Sequence, residues 1–260
     1  MKLKDLIHKI EEKVPTTSAL SWDNVGLLVG DENQEIHKVY VALDATDEVV
    51  EDATEKGADL ILTHHPLVFS GLKQVVASDF IGRRVMQMIS SNVSCYAMHT
   101  NFDVEIMGNL AAKIMGLTEV EVLEPTLDDA GEAKGIGCVA DITPTNLKAL
   151  AKMCKETFAI SSVKVFGEPE QKVSRIAVSP GSGKSEVNNA IAAGAQVLIT
   201  GDIDHHTGID AVARELAIID AGHYGLEHIY VEYMKQFLQE IAPELIVEAA
   251  PAKEPFWVLS

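Results

Sequence analysis

The chain has 260 residues, 47% of them hydrophobic, with 39 acidic against 21 basic side chains and a formal net charge of −18. That length fits two modest domains or one large one. A face that neutralises phosphates needs clustered Lys and Arg, and no dense basic run is present, which argues against nucleic acid and anionic membranes as direct partners. A metal ion or a cationic ligand suits this balance, whereas an anionic substrate needs local help from metals or a few lysines. Cys95, Cys138 and Cys154 share no CxxC spacing and read as small apolar residues of a reducing compartment. The N-terminus lacks a signal-type apolar core, and no apolar run approaches the ~20 residues of a membrane span. A soluble cytoplasmic protein is expected.

In chain order, Leu3, Leu6, Ile7 and Ile10 predict a helix over 3–13, ended near Pro15. The loop Ser21-Trp22-Asp23-Asn24-Val25-Gly26 follows, with Trp22 either a core plug or a pocket wall. Lys38 to Leu43 is a strand, Thr46 to Lys56 a helix that Thr46 or Asp47 caps and Gly57 stops, and Leu60-Ile61-Leu62-Thr63 a buried strand ending at His64, His65 and Pro66. This strand–helix–strand unit predicts parallel pairing. A helix over 79–89, a strand over 93–98 and a helix from Gly108 to Met115 come next. The acidic, turn-rich stretch 117–135 reads as a connector. Strands near 135–141 and 162–166 flank a helix from Thr145 to Phe158. The strand Arg175–Val178, the helix Ser185–Ala193 and the strand Gln196–Thr200 follow. A last helix from about Tyr224 to Ile241 carries the apolar stripe Leu226, Ile229, Tyr230, Tyr233, Phe237 and Ile241.

The chain reads as duplicated. At an offset of 137 residues Val41 falls on Val178, Val50 on Val187, Ala53 on Ala190, Gly57-Ala58 on Gly194-Ala195 and Thr63 on Thr200. Beyond that, Tyr96-Ala97-Met98-His99 with Asp103 answers Ala217-Ile218-Ile219-Asp220 with His223 and Glu227, and His99 falls on His223 and Asp103 on Glu227 at an offset of 124. The expected fold is α/β: two interlinked, similar lobes, each with a mixed sheet and flanking helices. The first lobe would span 1–126 and carry His64, His65 and Asp103. The second would span 127–260 and carry His223 and Glu227, with the C-terminal helix free to pack on the first. Facing lobes would place a site at their junction.

The chemistry-bearing residues fall at strand C-terminal ends or helix starts, where open α/β sheets place ligands. His223 and Glu227, four apart at a helix start, share a face and can reach one point. His99 and Asp103 repeat the spacing, although Asp103 also reads as a helix cap. With His64 and His65 this makes five or six His and carboxylate ligands. That is too many for one tetrahedral ion and suits two ions sharing a carboxylate. Without thiolates the candidates are Zn, Fe or Mn, and hydrolysis is the expected reaction class.

The stretches Ser21-Trp22-Asp23-Asn24-Val25-Gly26-Leu27, Thr63-His64-His65-Pro66, His99-Thr100-Asn101-Phe102-Asp103, Thr200-Gly201-Asp202 and Gly222-His223-Tyr224-Gly225-Leu226-Glu227 resemble those of the GTP cyclohydrolase 1 type 2 homologues, the YbgI-like or NIF-three-like dinuclear metal proteins. The similarity covers nearly the whole chain. It implies two divalent metal ions per subunit, in a ring-shaped homohexamer with the sites facing its cavity. His65 and Asp103 would hold one ion, His64 and His223 the other, and Glu227 would bridge both. His99 would carry protons in the pocket, so His99 and Glu227 are the catalytic candidates. The implied activity is metal-activated water acting on the guanine imidazole ring of GTP, with release of formate. A non-catalytic metal-binding ring scaffold and a metal-dependent phosphoesterase are the alternatives. Gly181-Ser182-Gly183-Lys184-Ser185 has the placement of a phosphate loop but not its full pattern, and Lys184 reads as solvated. His205-His206 reads as a loop or cap pair, His228 points away from Glu227, and His8 and His37 read as surface residues.

Overall fold

Short apolar runs separated by capping residues set the elements. The structure, a computed structural model, describes residues 1–129 and 131–259, with the backbone alone at 129. In chain order they are α1 (Leu3–Glu11), β1 (Gly26–Val29), β2 (Lys38–Ala42), α2 (Asp47–Glu55), β3 (Leu60–Thr63), α3 (Phe80–Ser90), β4 (Ser94–Ala97) and α4 (Thr100–Phe102). A π-helical turn, Asp103–Met107, joins α4 to α5 (Gly108–Ile114). Then come β5 (Glu121–Asp129), β6 (Glu132–Asn146), α6 (Leu147–Thr157), β7 (Lys164–Phe166), β8 (Lys172–Ser182), α7 (Val187–Ala192), β9 (Val197–Gly201), α8 (His205–Ala213), β10 (Ala217–Asp220), α9 (His223–Glu227), α10 (Ile229–Ile241) and β11 (Ile246–Ala249). Thr46, Asp79, Asn146 and Asp204 each accept a backbone N–H at a helix start, and Gly57 closes α2 with a left-handed φ of 67°.

The chain forms two compact units, Met1–Phe102 with Tyr230–Ala252, and Asp103–Ile229 with Lys253–Ser260. The division falls after Phe102 rather than at 126/127, because the π turn and α5 pack on β6. Asp103 therefore belongs with the second unit, and α10 with the first.

The first sheet has the order β1-β4-β3-β2-β11, and the second β5-β6-β8-β9-β10-β7. In the first, β2, β3 and β4 run parallel and β1 closes antiparallel on β4. In the second, β8, β9 and β10 run parallel and β7 closes antiparallel on β10. Val39 pairs with Leu60 as Ile176 pairs with Val197, so the 137-residue offset holds in the hydrogen-bonded register. The sheets differ on the other side: β11 joins β2 in parallel, whereas β6, the second strand of the β5–β6 hairpin, runs antiparallel to β8.

That hairpin corrects the connector expected over 117–135. Its acidic residues sit in strands, and the Arg175 guanidinium reaches both Glu121 (2.8 Å) and Asp141 (3.1 Å), so opposite charges offset the acid content that reads as loop. The single helix expected over 224–241 is two, meeting at His228. The fully buried row of α10 is Tyr230, Met234 and Leu238, continued by Ala242, while Tyr233 and Phe237 are half-buried and stack on each other. Helix α8 and strands β1 and β11 lie where no element was expected.

Cys95, Cys138 and Cys154 are free and buried, and burial pushes each thiol up to about 12. They act as small apolar residues. No helix among the described residues is long and apolar enough to cross a membrane. Tyr230 is fully buried, its ring 4.9 Å from Phe102, and its hydroxyl has no hydrogen-bond partner among the described residues. Urea denaturation should therefore find Tyr230→Phe neutral or up to ~1 kcal/mol more stable, since it removes a buried hydroxyl and keeps the ring. Tyr230→Ala should lose roughly 3–5 kcal/mol.

Candidate metal centre

In the first unit β3 and β4 lie side by side and run parallel, so the residues that follow them emerge at the same sheet edge. His64 and His65 follow β3, and His99 follows β4 by one residue. Their ring nitrogens lie within 4.8 Å of one another. His64 is fully buried, its ring 5.2 Å from Tyr230 and 6.0 Å from Phe102, while His65 and His99 are half-buried.

Each of these imidazoles is held at Nδ1. His64 donates to the Met98 carbonyl oxygen (2.8 Å), His65 to Asp44 Oδ1 (2.8 Å) and His99 to Asp23 Oδ1 (2.9 Å). Carbonyl and carboxylate oxygens only accept, so Nδ1 carries the proton and Nε2 is the nitrogen that could accept a metal ion. Burial works against an ionised Asp23, but hydrogen bonds from His99 and Thr100 outweigh it and bring its pKa down to about 2.

In the second unit His223 opens α9, and its Nε2 lies 2.9 Å from Glu227 Oε2. The shared face expected from the i, i+4 spacing is thus present. His223 Nδ1 donates to Asp202 (2.8 Å). Glu227 is 3% exposed, and one of its carboxylate oxygens lies within 4.8 Å of one from Asp103. Asp103 stands at the start of the π turn and is not a helix cap, because the helix already begins at Thr100. Such turns occur often at functional sites. A buried carboxylate is costly unless paired, and imidazole nitrogen with two carboxylates is a donor set that a divalent cation satisfies.

The duplication explains why the second copy lacks the histidine pair. Gly201 stands where His64 stands in the first copy, and a side chain there would run into the backbone nitrogen of His223. Asp202 stands where His65 stands and orients His223 instead. Gly181, the counterpart of Asp44, has a left-handed φ of 81°, and a Cβ there would strike Glu227 Oε1. The glycine turn that resembles a phosphate loop is therefore the backing of Glu227. Lys184 pairs with Asp204 (2.6 Å) in an exposed bridge. His205 and His206 lie exposed in the first turn of α8, and His228 stacks on Tyr224. Asp23, Asp44 and Asp202 had no assigned role in the sequence. Asp23 and Asp202 lie inside stretches that carry the family resemblance, and the only signal for Asp44 is its place just beyond β2.

The Duf34/NIF3 (NGG1p interacting factor 3) family model matches residues 1–255. The chain belongs to the Duf34/NIF3 family. A curated relative in Clostridium acetobutylicum, named GTP cyclohydrolase 1 type 2 homolog, is 34% identical over 242 residues, covering 92% of this chain and 90% of that protein. The crystal structure of a Staphylococcus aureus hypothetical protein matches with a TM-score of 0.91 and 33% identity, covering 100% of this chain and 99% of that one. A Bacillus cereus protein related to NIF3 matches with a TM-score of 0.94 at 24% identity, over 100% and 99% of the two chains, which supports the fold alone.

Two outcomes test the geometry of this Duf34/NIF3 chain. Gly181→Ala and Gly194→Ala both force a left-handed residue, at roughly 1–2 kcal/mol each, but a Cβ at Gly194 meets nothing within 4 Å. Gly181→Ala should therefore lower divalent-ion uptake as well as stability, and Gly194→Ala stability alone. Asp23 has a depressed pKa, so its contribution is present above about pH 4 and lost as the pH falls towards 2. In acid titration Asp23→Asn should be destabilised by ~2 kcal/mol at neutral pH and should flatten that limb of the stability curve.

Proposed function

We propose that the chain is a metal-dependent hydrolase in which His64, His65, Asp103, His223 and Glu227 hold two divalent ions. The observation that carries this reading is the common pinning of His64, His65 and His223, whose Nδ1 atoms each meet an oxygen acceptor at 2.8 Å. Proteins orient metal-ligating imidazoles in this way. The donors are nitrogen and oxygen, which fits Zn, Fe or Mn. Such a pair of ions would supply water of lowered pKa and the positive charge that a triphosphate needs in a chain of net charge −18.

The division implied by the family resemblance gives His65 and Asp103 to one ion, His64 and His223 to the other, and Glu227 to both. Asp44 and Asp202 would fix the rings and raise their basicity. His99, held at Nδ1 by Asp23, would take up and release the substrate's proton at Nε2. The name that the curated relatives carry supports GTP as the leading substrate, and the family resemblance implies opening of the guanine imidazole ring with release of formate. The assembly would be a ring-shaped homohexamer, and light scattering should return six chain masses.

Metal analysis of protein purified without chelator should find two divalent ions per chain. Glu227→Gln should lose at least one ion together with metal-dependent formate release from GTP. Absence of ions from the wild type would sink the site. Bound ions without turnover on GTP, phosphodiesters or cyclic amides would leave a binding-only metalloprotein.

A further inference from the structure

We propose that Trp22 and Phe69 form a stacking platform that receives a flat heteroaromatic ring beside His99. The proposal deepens the hydrolase reading, and rests on it for the claim that this ring belongs to the substrate.

Large aromatic side chains are normally well buried, and these two are not: Trp22 is 57% and Phe69 54% exposed, which removes the core-plug reading of Trp22. They are in contact, with ring centroids 5.7 Å apart and planes at 36°. Each lies 6.0 Å from the His99 ring, at 75° for Trp22 and 70° for Phe69, so the imidazole stands roughly at right angles to both. His99 is in turn 5.3 Å from His64 and 5.7 Å from His65. The aromatic surface therefore begins where the histidine cluster ends.

The two loops that carry the pair are tied down. The Asp23 side chain, with no exposed surface, takes hydrogen bonds from His99, from the Thr100 backbone and from the Thr100 hydroxyl. The Asn24 amide donates to the Val68 carbonyl oxygen, joining the Trp22 loop to the Phe69 loop. A surface pair held in this way is pre-organised, and pre-organisation is what lowers the entropic cost of binding. Around Phe69 the chain reads Pro66, Leu67, Val68, Ser70, Gly71 and Leu72, with no charge. Such a wall recognises a π face and not a phosphate. Because it borders imidazoles, it suits a ring edged with nitrogens and carbonyls, such as a purine or a related bicycle, better than an apolar protein face. Stacking of this kind tolerates different bases.

The chain has two tryptophans, Trp22 and Trp257. In a Trp257→Phe background Trp22 is the sole tryptophan, and its emission reads the platform directly. Guanosine and adenosine should both quench it saturably, and ribose should not. By calorimetry, Phe69→Ala and Trp22→Leu should each weaken guanosine about tenfold, and Trp22→Phe should recover most of the loss, with metal content unchanged in all three. Absent quenching, or quenching equal for ribose, would overturn the platform. So would Trp22 emission that shifts with protein concentration alone, because another copy of the chain would then cover it. Metal uptake without nucleoside binding sinks this proposal and spares the hydrolase reading. Nucleoside binding without metal uptake does the reverse.

Discussion

The candidate site depends on one constraint: an imidazole or carboxylate taken out of water has to be aimed and compensated. Leaving such a group unpaired in the interior costs several kcal/mol. The fold meets this at parallel strand ends, where the chain turns away and leaves short polar segments side by side. Each of the four candidate histidines there has one nitrogen committed to a fixed oxygen, which sets both its tautomer and its direction. Three of the four oxygens are aspartates, so part of the chain's acid excess is spent on orientation. The fourth, the Met98 carbonyl, serves the buried His64, where a second buried charge would be hardest to accommodate.

Duplication supplied two copies of this arrangement, and steric exclusion made them different. In the second copy α9 starts so close to β9 that position 201 has room only for glycine. The histidine pair cannot exist there, and the next position holds the aspartate that steers His223. On the neighbouring strand the Glu227 carboxylate fills the space of the first copy's aspartate, so Gly181 replaces it. The two units thus offer unlike sets of candidate donors, rich in imidazole in one and in carboxylate in the other.

Much of this was legible in the sequence because it rests on local signals. The apolar runs at 60–63 and 197–201, the cap at Thr46 and the glycines closing α2 and its counterpart declare strands and helices without help from the rest of the chain. The histidine–carboxylate spacing at 223 and 227 likewise needs only helical geometry. What stayed hidden was decided elsewhere. The β5–β6 hairpin is acidic enough to pass for a loop until Arg175 arrives from another strand. The break at His228 and the buried row of α10 depend on which unit each half of that stretch joins. Asp23, Asp44 and Asp202 look like ordinary turn residues, since only the folded sheet reveals which histidine each one faces. Gly181 misleads for the same reason: its place at the end of a strand, ahead of a helix, is that of a phosphate loop, and only the closeness of Glu227 accounts for the glycine.

The path of the chain through its two units sets an order of assembly. The first unit is left at Phe102 and resumed only at Tyr230, after the whole of α5 to α9 has been made. Until then β2 lacks its outer neighbour β11, and His64 lacks the ring that backs it. In sequence order, His64, His65 and His99 thus follow strands of a sheet whose outer strand, β11, comes only after α10. The segment Tyr230–Ala252, late in the sequence, thus completes the surroundings of His64 and the outer edge of β2.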